Sequence, residues 1–340
     1  MIGNYLDSPR HNKNVWQALA ERLPSVGWEV ITTSSQESQY LRLFDMLITI
    51  IKQRNNYDLA QIDVFSGKAF IFAELCTKLL RFLNKKIVLT LHGGGLPTFA
   101  LKHHRRFQSL LTTASAVVTP SPFHRESFKT IRPDIHIIPN PVDLTIAIYR
   151  QRFSAKPNLI WIRAFHSIYN PSLAIRVVSH LKDNYPKVRL IMIGPDKGDH
   201  SLNNLMELAR ELGVTNNIEI VGPIVHSDVP CWLDKADIFI NTSNFDTAPS
   251  SLMEAMANGL CVVSTNVGGI PYLAENGVEA ILVEPNDPVS LANAVSEILA
   301  HPDFASTLSR NARIRAEQSD WAVILPRWES LLLSVIEASR

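Results

Sequence analysis

Short, almost wholly apolar runs recur along this chain, and the segments between them carry apolar side chains at three- and four-residue spacing. In the first half the runs predict strands over Glu29–Thr32, Asp63–Phe65, Lys86–Leu91, Ala116–Thr119 and His136–Ile138. Helices are predicted between them over Lys13–Leu23, Lys68–Leu83 and Phe99–Thr112. The second half repeats the scheme, with strands over Asn158–Ile162, Arg189–Ile193, Ile218–Val221, Ile238–Asn241, Cys261–Ser264 and Ala280–Val283. Its helices are predicted over Ser172–Asp183, Asn203–Leu212, Asp228–Lys235, Ser250–Asn258 and Val289–Ala300. Strands that are apolar on both faces belong to parallel sheets covered by helices on both sides. Two such series predict an α/β chain of two doubly wound domains, residues 1–150 and 151–318. The remaining residues, 319–340, hold Trp321 and Trp328 and are expected to form a helix that packs back on the first domain. Met1-Ile2 leaves almost no first strand before the turn at Gly3-Asn4-Tyr5.

Composition narrows the class. A chain of 340 residues with 46% hydrophobic content can fill two cores. Its net charge of +1 argues against a general polyanion binder, and no nucleic-acid partner is expected. The charge is unevenly spread: 18 Lys/Arg against 11 Asp/Glu leave residues 1–150 seven charges positive, and the remainder is six negative. The first half is therefore the one expected to meet an anionic surface. Its basic residues include Lys78, Arg81, Lys85, Lys86 and the run Lys102-His-His-Arg105-Arg106-Phe107. They read either as solvated helix faces or as a docking patch for anionic lipid or a polyprenyl-phosphate acceptor. Cys76, Cys231 and Cys261 lie far apart in apolar runs and are expected to be buried, reduced thiols of a cytosolic protein. No signal peptide and no membrane-spanning run is visible, so the expected location is the cytoplasm, at most peripheral at the inner face of a membrane.

Ligands of open parallel sheets sit beyond the carboxyl ends of the strands, and that is where the chemistry is sought. After Ile238–Asn241 comes Asp246-Thr247-Ala248-Pro249-Ser250-Ser251-Leu-Met-Glu254, running into Ala-Met-Ala-Asn-Gly259 and then Asn266-Val-Gly268-Gly269-Ile-Pro271. Carboxylates can grip sugar and ribose hydroxyls, and helix-end N–H groups can hold phosphate. The bland alternative makes Ser251 to Glu254 a capping box and Asp246 an ordinary loop acid. Arg163 follows the strand Leu159-Ile-Trp-Ile162, where its planar fork suits a diphosphate, or merely reaches water from a packed stem. His92 follows Lys86–Leu91 and opens a triple glycine that permits close backbone approach to a ligand; otherwise it is a satisfied strand-end imidazole.

The acid-x7-Glu spacing of Asp246 and Glu254, with these neighbours, resembles the motif of retaining glycosyltransferases of family 4. The resemblance runs along nearly the whole chain. It implies the GT-B architecture, two Rossmann-like domains facing across a cleft, with the acceptor in the first and a nucleotide-sugar in the second. It further implies that Glu254 binds the ribose, that Asp246 and His92 contact the donor sugar, and that Arg163 holds the diphosphate. Amides of Thr247, Ala248, Ser250 and Ser251, in the turn around Pro249, would assist, and backbone near Gly222 would receive the base. Gly3 and Asn4 occupy the place of a glycine-rich loop near the diphosphate. The chain departs from the pattern at several points. Asp246 stands where Glu is usual, and Tyr272 replaces an acid after Pro271. His11-Asn-Lys13-Asn14 stands where a second glycine pair is usual. A phosphate-binding Lys is missing from Ala164-Phe-His166-Ser-Ile-Tyr-Asn170-Pro171, which leaves His166 or Asn170 as substitutes.

The function so implied is transfer of a sugar, with retained anomeric configuration, from a nucleoside diphosphate-sugar to a hydroxyl of a polysaccharide, glycolipid or small molecule. No metal and no further cofactor is expected, and no DxD motif occurs. Two rivals stay open on the sequence: a sugar-nucleotide epimerase, which needs no acceptor, and a nucleotide-sugar-binding module without catalysis. A dehydrogenase is disfavoured, since no GxGxxG follows a first strand with an acid about 20 residues on.

Overall fold

The computed structural model describes residues 1–5 and 14–338 and divides into two compact units. The first comprises residues 1–140 together with the C-terminal stretch from Ala322, and the second runs from Pro141 to Trp321. The divisions thus lie ten residues before the sequence boundary at 150 and three after the one at 318.

In the first unit the order is α1 (Val15–Arg22), α2 (Gln39–Lys52), β1 (Leu59–Val64), α3 (Phe70–Phe82), β2 (Lys86–Leu91), α4 (Leu96–Lys102), α5 (His104–Thr113), β3 (Ala116–Thr119), α6 (Pro122–Phe128) and β4 (His136–Ile137). The strands form a parallel sheet in the order β1-β2-β3-β4, with Leu59 opposite Lys86 and Val88 opposite Ala116. Ile2 extends the sheet through two isolated parallel bridges, to Ile62 and to Thr33. These bridges stand where the strand Glu29–Thr32 was expected, of which Val30 and Ile31 are only half-buried and Glu29 and Thr32 are exposed. The core is built on Phe70, Phe107, Phe128, Ile62 and Leu89. The expected helix Phe99–Thr112 is two helices broken at His103 (φ −129°, ψ 41°), inside the polar run Lys102–Arg106. α1 starts behind Asn14, whose N–H donates to Gln17 Oε1 at 2.8 Å. Lys13, His11 and Asn12, named above, lie outside the described residues.

The second unit contains β5 (Asn158–Ile162), α7 (Pro171–Leu181), β6 (Arg189–Ile193), α8 (Ser201–Glu211), β7 (Ile218–Ile220), α9 (Val229–Leu233), β8 (Ile238–Asn241), α10 (Ser250–Ala257), β9 (Cys261–Thr265), β10 (Ile281–Val283), α11 (Pro288–Ala300) and α12 (Pro302–Glu317). Its parallel sheet runs β10-β9-β8-β5-β6-β7. Alternate residues of β5 face opposite sides, so Leu159 and Trp161 join a core with α7, α8 and α11, and Ile160 joins one with α9, α10 and α12. The last helix, α13 (Trp321–Glu337), starts at the division; Ile324, Trp328, Leu331, Leu332 and Val335 are buried.

Arg152 anchors the segment that enters the second unit. Its guanidinium is fully buried, donates to the carbonyls of Arg150, Asn258 and Ala236, and lies 3.5 Å from Asp237. Burial, aided by the charge of Arg150, lowers its pKa to about 10, so it remains a cation. Cys76 and Cys261 are buried as expected, but Cys231 is exposed, because α9 turns that position outward. All three are free thiols. Among the described residues no helix is long and apolar enough to cross a membrane.

Candidate functional site

Three of the singled-out residues, Arg163, Asp246 and Glu254, follow carboxyl ends of strands in the second unit. Arg163 comes directly after β5, and its N–H donates to Ile193 O at 3.0 Å. Gly194 makes this placement possible: a Cβ there would stand 1.8 Å from the Arg163 carbonyl oxygen. The guanidinium lies over the Tyr169 ring, 4.9 Å from its centroid, and its Nη2 donates to Asp246 Oδ2. Asp246 Oδ1 accepts the Thr247 N–H at 2.9 Å. Both members of the ion pair are mostly buried, with side-chain exposures of 17% and 13%.

The glycine turn positions Asp246 from the other side. Gly269 N–H donates to Asp246 O at 2.9 Å. Gly268 has φ +56°, and a Cβ on it would lie 2.1 Å from the same oxygen. Only glycine lets the two loops approach this closely.

Glu254 does not close a capping box. α10 begins after Pro249 with no side-chain cap, which places Glu254 beyond the first turn. Its Oε1 is instead 2.9 Å from His226 Nε2. That hydrogen bond, reinforced by the charges of Glu254 and Asp143, raises the His226 pKa above its ordinary value against the effect of burial. His226 carries no sequence signal, since a lone His in a polar loop is indistinguishable from a solvated one.

Three donor groups around the first turn of α10 are buried without a hydrogen-bond acceptor: Arg163 Nε, Thr247 Oγ1 and Ser251 Oγ. The first backbone N–H groups of α10 belong to Ser250 and Ser251, at the positive end of the helix dipole. Arg163 Nε, two hydroxyls and a helix start thus belong to the segments that Arg163 and Asp246 bring together, and donors of these kinds build anion sites.

Other candidates are placed differently. Asn170 is left-handed (φ 45°), and its amide donates to Asn244 Oδ1 (3.2 Å) and Asn286 Oδ1 (2.8 Å), tying loops together. His166 Nδ1 accepts the Ile168 N–H at 3.1 Å, and its Nε2 is 3.9 Å from Asp199. Among the described residues, no hydrogen bond or ion pair joins either side chain to Arg163. Gly222 follows β7, and its carbonyl accepts the Gly194 N–H at 3.2 Å.

His92 belongs to the first unit. It follows β2, and its N–H donates to Val64 O at 2.9 Å. Its Nε2 is 2.9 Å from Asp63 Oδ1, a buried carboxylate that belongs to no motif singled out above. Gln61 and Asp63, two polar residues on one face of an otherwise apolar strand, are the signal the sequence offers for it. Gly3 and Asn4 lie beside this cluster: a Cβ on Gly3 would meet Asp63 Oδ2 at 2.4 Å, and Asn4 O accepts from Trp16 Nε1 at 3.0 Å.

Comparison with known proteins agrees with this anatomy. Residues 150–315 match the family described as "Glycosyl transferases group 1", and residues 8–146 match "Glycosyltransferase Family 4". A D-inositol 3-phosphate glycosyltransferase of Thermobispora bispora is 24% identical over 185 residues, covering 53% of this chain and 43% of the relative. One from Salinispora arenicola is 28% identical over 157 residues, 44% of this chain and 35% of the relative. The matches thus span about two fifths of these relatives' length. Among solved structures, sucrose-phosphate synthase from Thermosynechococcus elongatus superposes with a TM-score of 0.78 at 18% identity, over 95% of this chain and 93% of that one. Anabaena HepE in complex with UDP gives 0.75 at 20% identity, over 90% and 86%. Two parallel α/β sheets, the acid-x7-Glu segment behind β8 and matches to both halves lead to one assignment: the chain belongs to the family 4 (group 1) glycosyl transferases and has their two-domain, Rossmann-like GT-B fold.

Proposed function

We propose that the protein is a retaining glycosyltransferase that moves a sugar from a nucleoside diphosphate-sugar to a hydroxyl acceptor, without a metal. The observation that carries this reading is the set of unspent donors at Arg163, Thr247 and Ser251 beside the start of α10. A diphosphate supplies the acceptors these groups lack. Its negative charge grows as the glycosidic bond breaks, so donors fixed there stabilise the transition state more than the ground state. Glu254 takes the ribose hydroxyls, Asp246 and His92 the sugar, and the acceptor hydroxyl passes its proton to the departing phosphate oxygen. Nothing in this route needs a protein nucleophile. That Anabaena HepE was solved with UDP and with UDP-glucose supports a nucleotide-sugar as the donor.

The test is a thermal-shift and calorimetric screen of the full chain against nucleoside diphosphates and their sugars. Ligand stabilisation grows as RT ln(1 + [L]/Kd). Arg163→Ala and Glu254→Ala should each weaken binding of the best ligand by about 10- to 150-fold, the worth of a charge-assisted hydrogen bond. Wild-type affinity in either variant, or no stabilisation by any ligand, refutes the reading. Turnover of the donor without any acceptor into an epimer would favour the isomerase instead.

The first unit is proposed to rest on an anionic bilayer. On α2 the side chains of Tyr40, Leu41 and Phe44 are exposed, and on α3, which packs against it, so are Ile71, Leu75 and Phe82. Lys78, Arg81 and Arg105 are exposed on α3 and α5. Apolar anchors beside cations match the interface of a charged membrane better than they match water.

A further inference from the structure

Building on the glycosyltransferase reading, we infer that Asp63 is a positioning residue for His92, holding its ring as the tautomer protonated on Nε2 and leaving the lone pair on Nδ1 for the proposed sugar contact. Asp63 is the pivot of a buried network in the first unit. Its Oδ1 accepts from Gln61 Nε2 at 2.9 Å, and the same amide lies 2.8 Å from Thr90 Oγ1, the residue opposite Asp63 in the β1–β2 register. The remaining contact of Oδ1 is His92 Nε2 at 2.9 Å, with side-chain exposures of 1% for Asp63 and 11% for His92. An ionised carboxylate only accepts, so the ring nitrogen facing it carries the proton. When the ring is neutral, its lone pair is then on Nδ1.

Packing fixes the ring as well as its proton. Phe65 stacks on the imidazole (centroids 5.1 Å apart, planes at 19°), and Trp16 lies 5.2 Å away at 56°. Gly3 covers the far oxygen of Asp63, where any side chain would displace the carboxylate. That gives Gly3 a task different from cradling a phosphate. The backbone after His92 is pinned by His124, whose Nε2 is 3.1 Å from Gly93 O while Nδ1 is 3.0 Å from Thr119 Oγ1. Burial, outweighing that backbone hydrogen bond, lowers the His124 pKa to about 4, so it stands beside His92 as a neutral group. Asp63 is therefore the acidic side chain hydrogen-bonded to the His92 ring among the described residues, and the arrangement is that of an acid orienting an imidazole.

The experiment uses the full chain with ¹⁵N-labelled histidine at pH 8, the His92 signals being assigned by their loss in His92→Gln. The expected wild-type spectrum shows the proton on Nε2, and Asp63→Asn moves it wholly or partly to Nδ1. A wild-type ring with Nε2 unprotonated, or an unaltered pattern in Asp63→Asn, overturns the inference. In the same variant, release of nucleoside diphosphate from the best sugar donor should slow by about 10²-fold, as when a group that positions the reacting sugar is displaced from its productive geometry. Affinity for the free nucleoside diphosphate should stay within about twofold of wild type, since that ligand is assigned to the second unit. Unchanged turnover with a shifted tautomer removes the positioning role and leaves the glycosyltransferase reading standing. A wild-type protein that turns over no nucleotide-sugar removes that reading, and the NMR result still decides the tautomer.

Discussion

Gly268→Ala tests whether the glycine turn sets the position of Asp246. The new Cβ would stand 2.1 Å from the Asp246 carbonyl oxygen and 3.3 Å from Phe245 Cζ. Real Cβ contacts do not fall below 3.0 Å, so one loop must move by about 1 Å. The cost has separable parts. Holding alanine in the left-handed region costs about 1 kcal/mol. Losing the Gly269 N–H to Asp246 O hydrogen bond costs a further ~0.5–1.5 kcal/mol. Gly277→Ala isolates the first part, because Gly277 is also left-handed (φ +78°) and a methyl group added there would meet nothing within 4 Å. Thermal unfolding should therefore place Gly268→Ala below Gly277→Ala by about 1–6 °C for a unit of this size. The functional gap should be larger. A displacement of ~1 Å at a reacting group costs about 10²-fold in turnover, while Gly277→Ala should turn over like wild type. The measurements are unfolding by circular dichroism and donor turnover by nucleoside diphosphate release. Equal turnover in the two alanine variants, both folded, would refute the claim that this turn positions the acid.

Two further outcomes follow from surface chemistry and from the His226–Glu254 pair. Vesicles containing anionic lipid should co-sediment the full chain and neutral vesicles should not, with binding weakened by salt and by Tyr40→Ser/Phe44→Ser; equal recovery on both vesicle types argues against the membrane face. His226 has a raised pKa in the folded chain, so the stability it contributes is complete below its ordinary value near 6.5 and is lost as pH rises through the raised one. The pair is partly exposed and worth about 0.2–1 kcal/mol. Urea unfolding should accordingly separate wild type from His226→Gln at pH 6 and merge the two at pH 9, and a gap that does not change with pH contradicts the ion pair.

Strands are the most legible feature, and the reason is burial. Lys86–Leu91, Ala116–Thr119, Asn158–Ile162, Arg189–Ile193 and Ile238–Asn241 coincide with the expected bounds, because a strand covered on both faces is apolar at nearly every position. Helices are read less completely. Gln39–Lys52 carries its polar residues Gln39, Arg42, Asp45, Thr49 and Lys52 in one stripe at helical spacing, a period open to reading, while Tyr40, Leu41 and Phe44 stay exposed and only Met46 and Ile50 are buried. Pro302–Glu317 is harder to read, since it packs largely through small side chains, Ala305, Ala312 and Ala316, in a polar sequence. The site is legible only as far as periodicity and motif reach. The segment Asp246–Glu254 and Arg163 can be found, because each directly trails an apolar strand or a recognisable spacing. Their partners are harder to find: His226 reaches Glu254 across 28 residues and leaves no local trace, while Asp63, which meets His92 across 29, is hinted at only by two polar residues on one face of an apolar strand.

Those partners resolve an electrostatic difficulty that the motif alone creates. A site built from Asp246 and Glu254 would present two negative charges to a ligand proposed to be a polyanion. At about 4 Å, two like charges repel by roughly 4 kcal/mol at an effective dielectric of 20, enough to cancel a good hydrogen bond. Asp246 is instead paired in advance with Arg163, and Glu254 with His226, which carries a matching charge once protonated. The match leaves donors over. Arg163 spends Nη2 on Asp246 while Nε stays without an acceptor, and an unmet buried donor costs about 1–3 kcal/mol until something supplies one. Under the proposed function, a phosphate oxygen that reached that nitrogen would relieve the cost without first dismantling the ion pair. On the same proposal the absence of the phosphate-binding lysine would be offset in part, because Arg163 pairs with Asp246 and still has Nε without an acceptor.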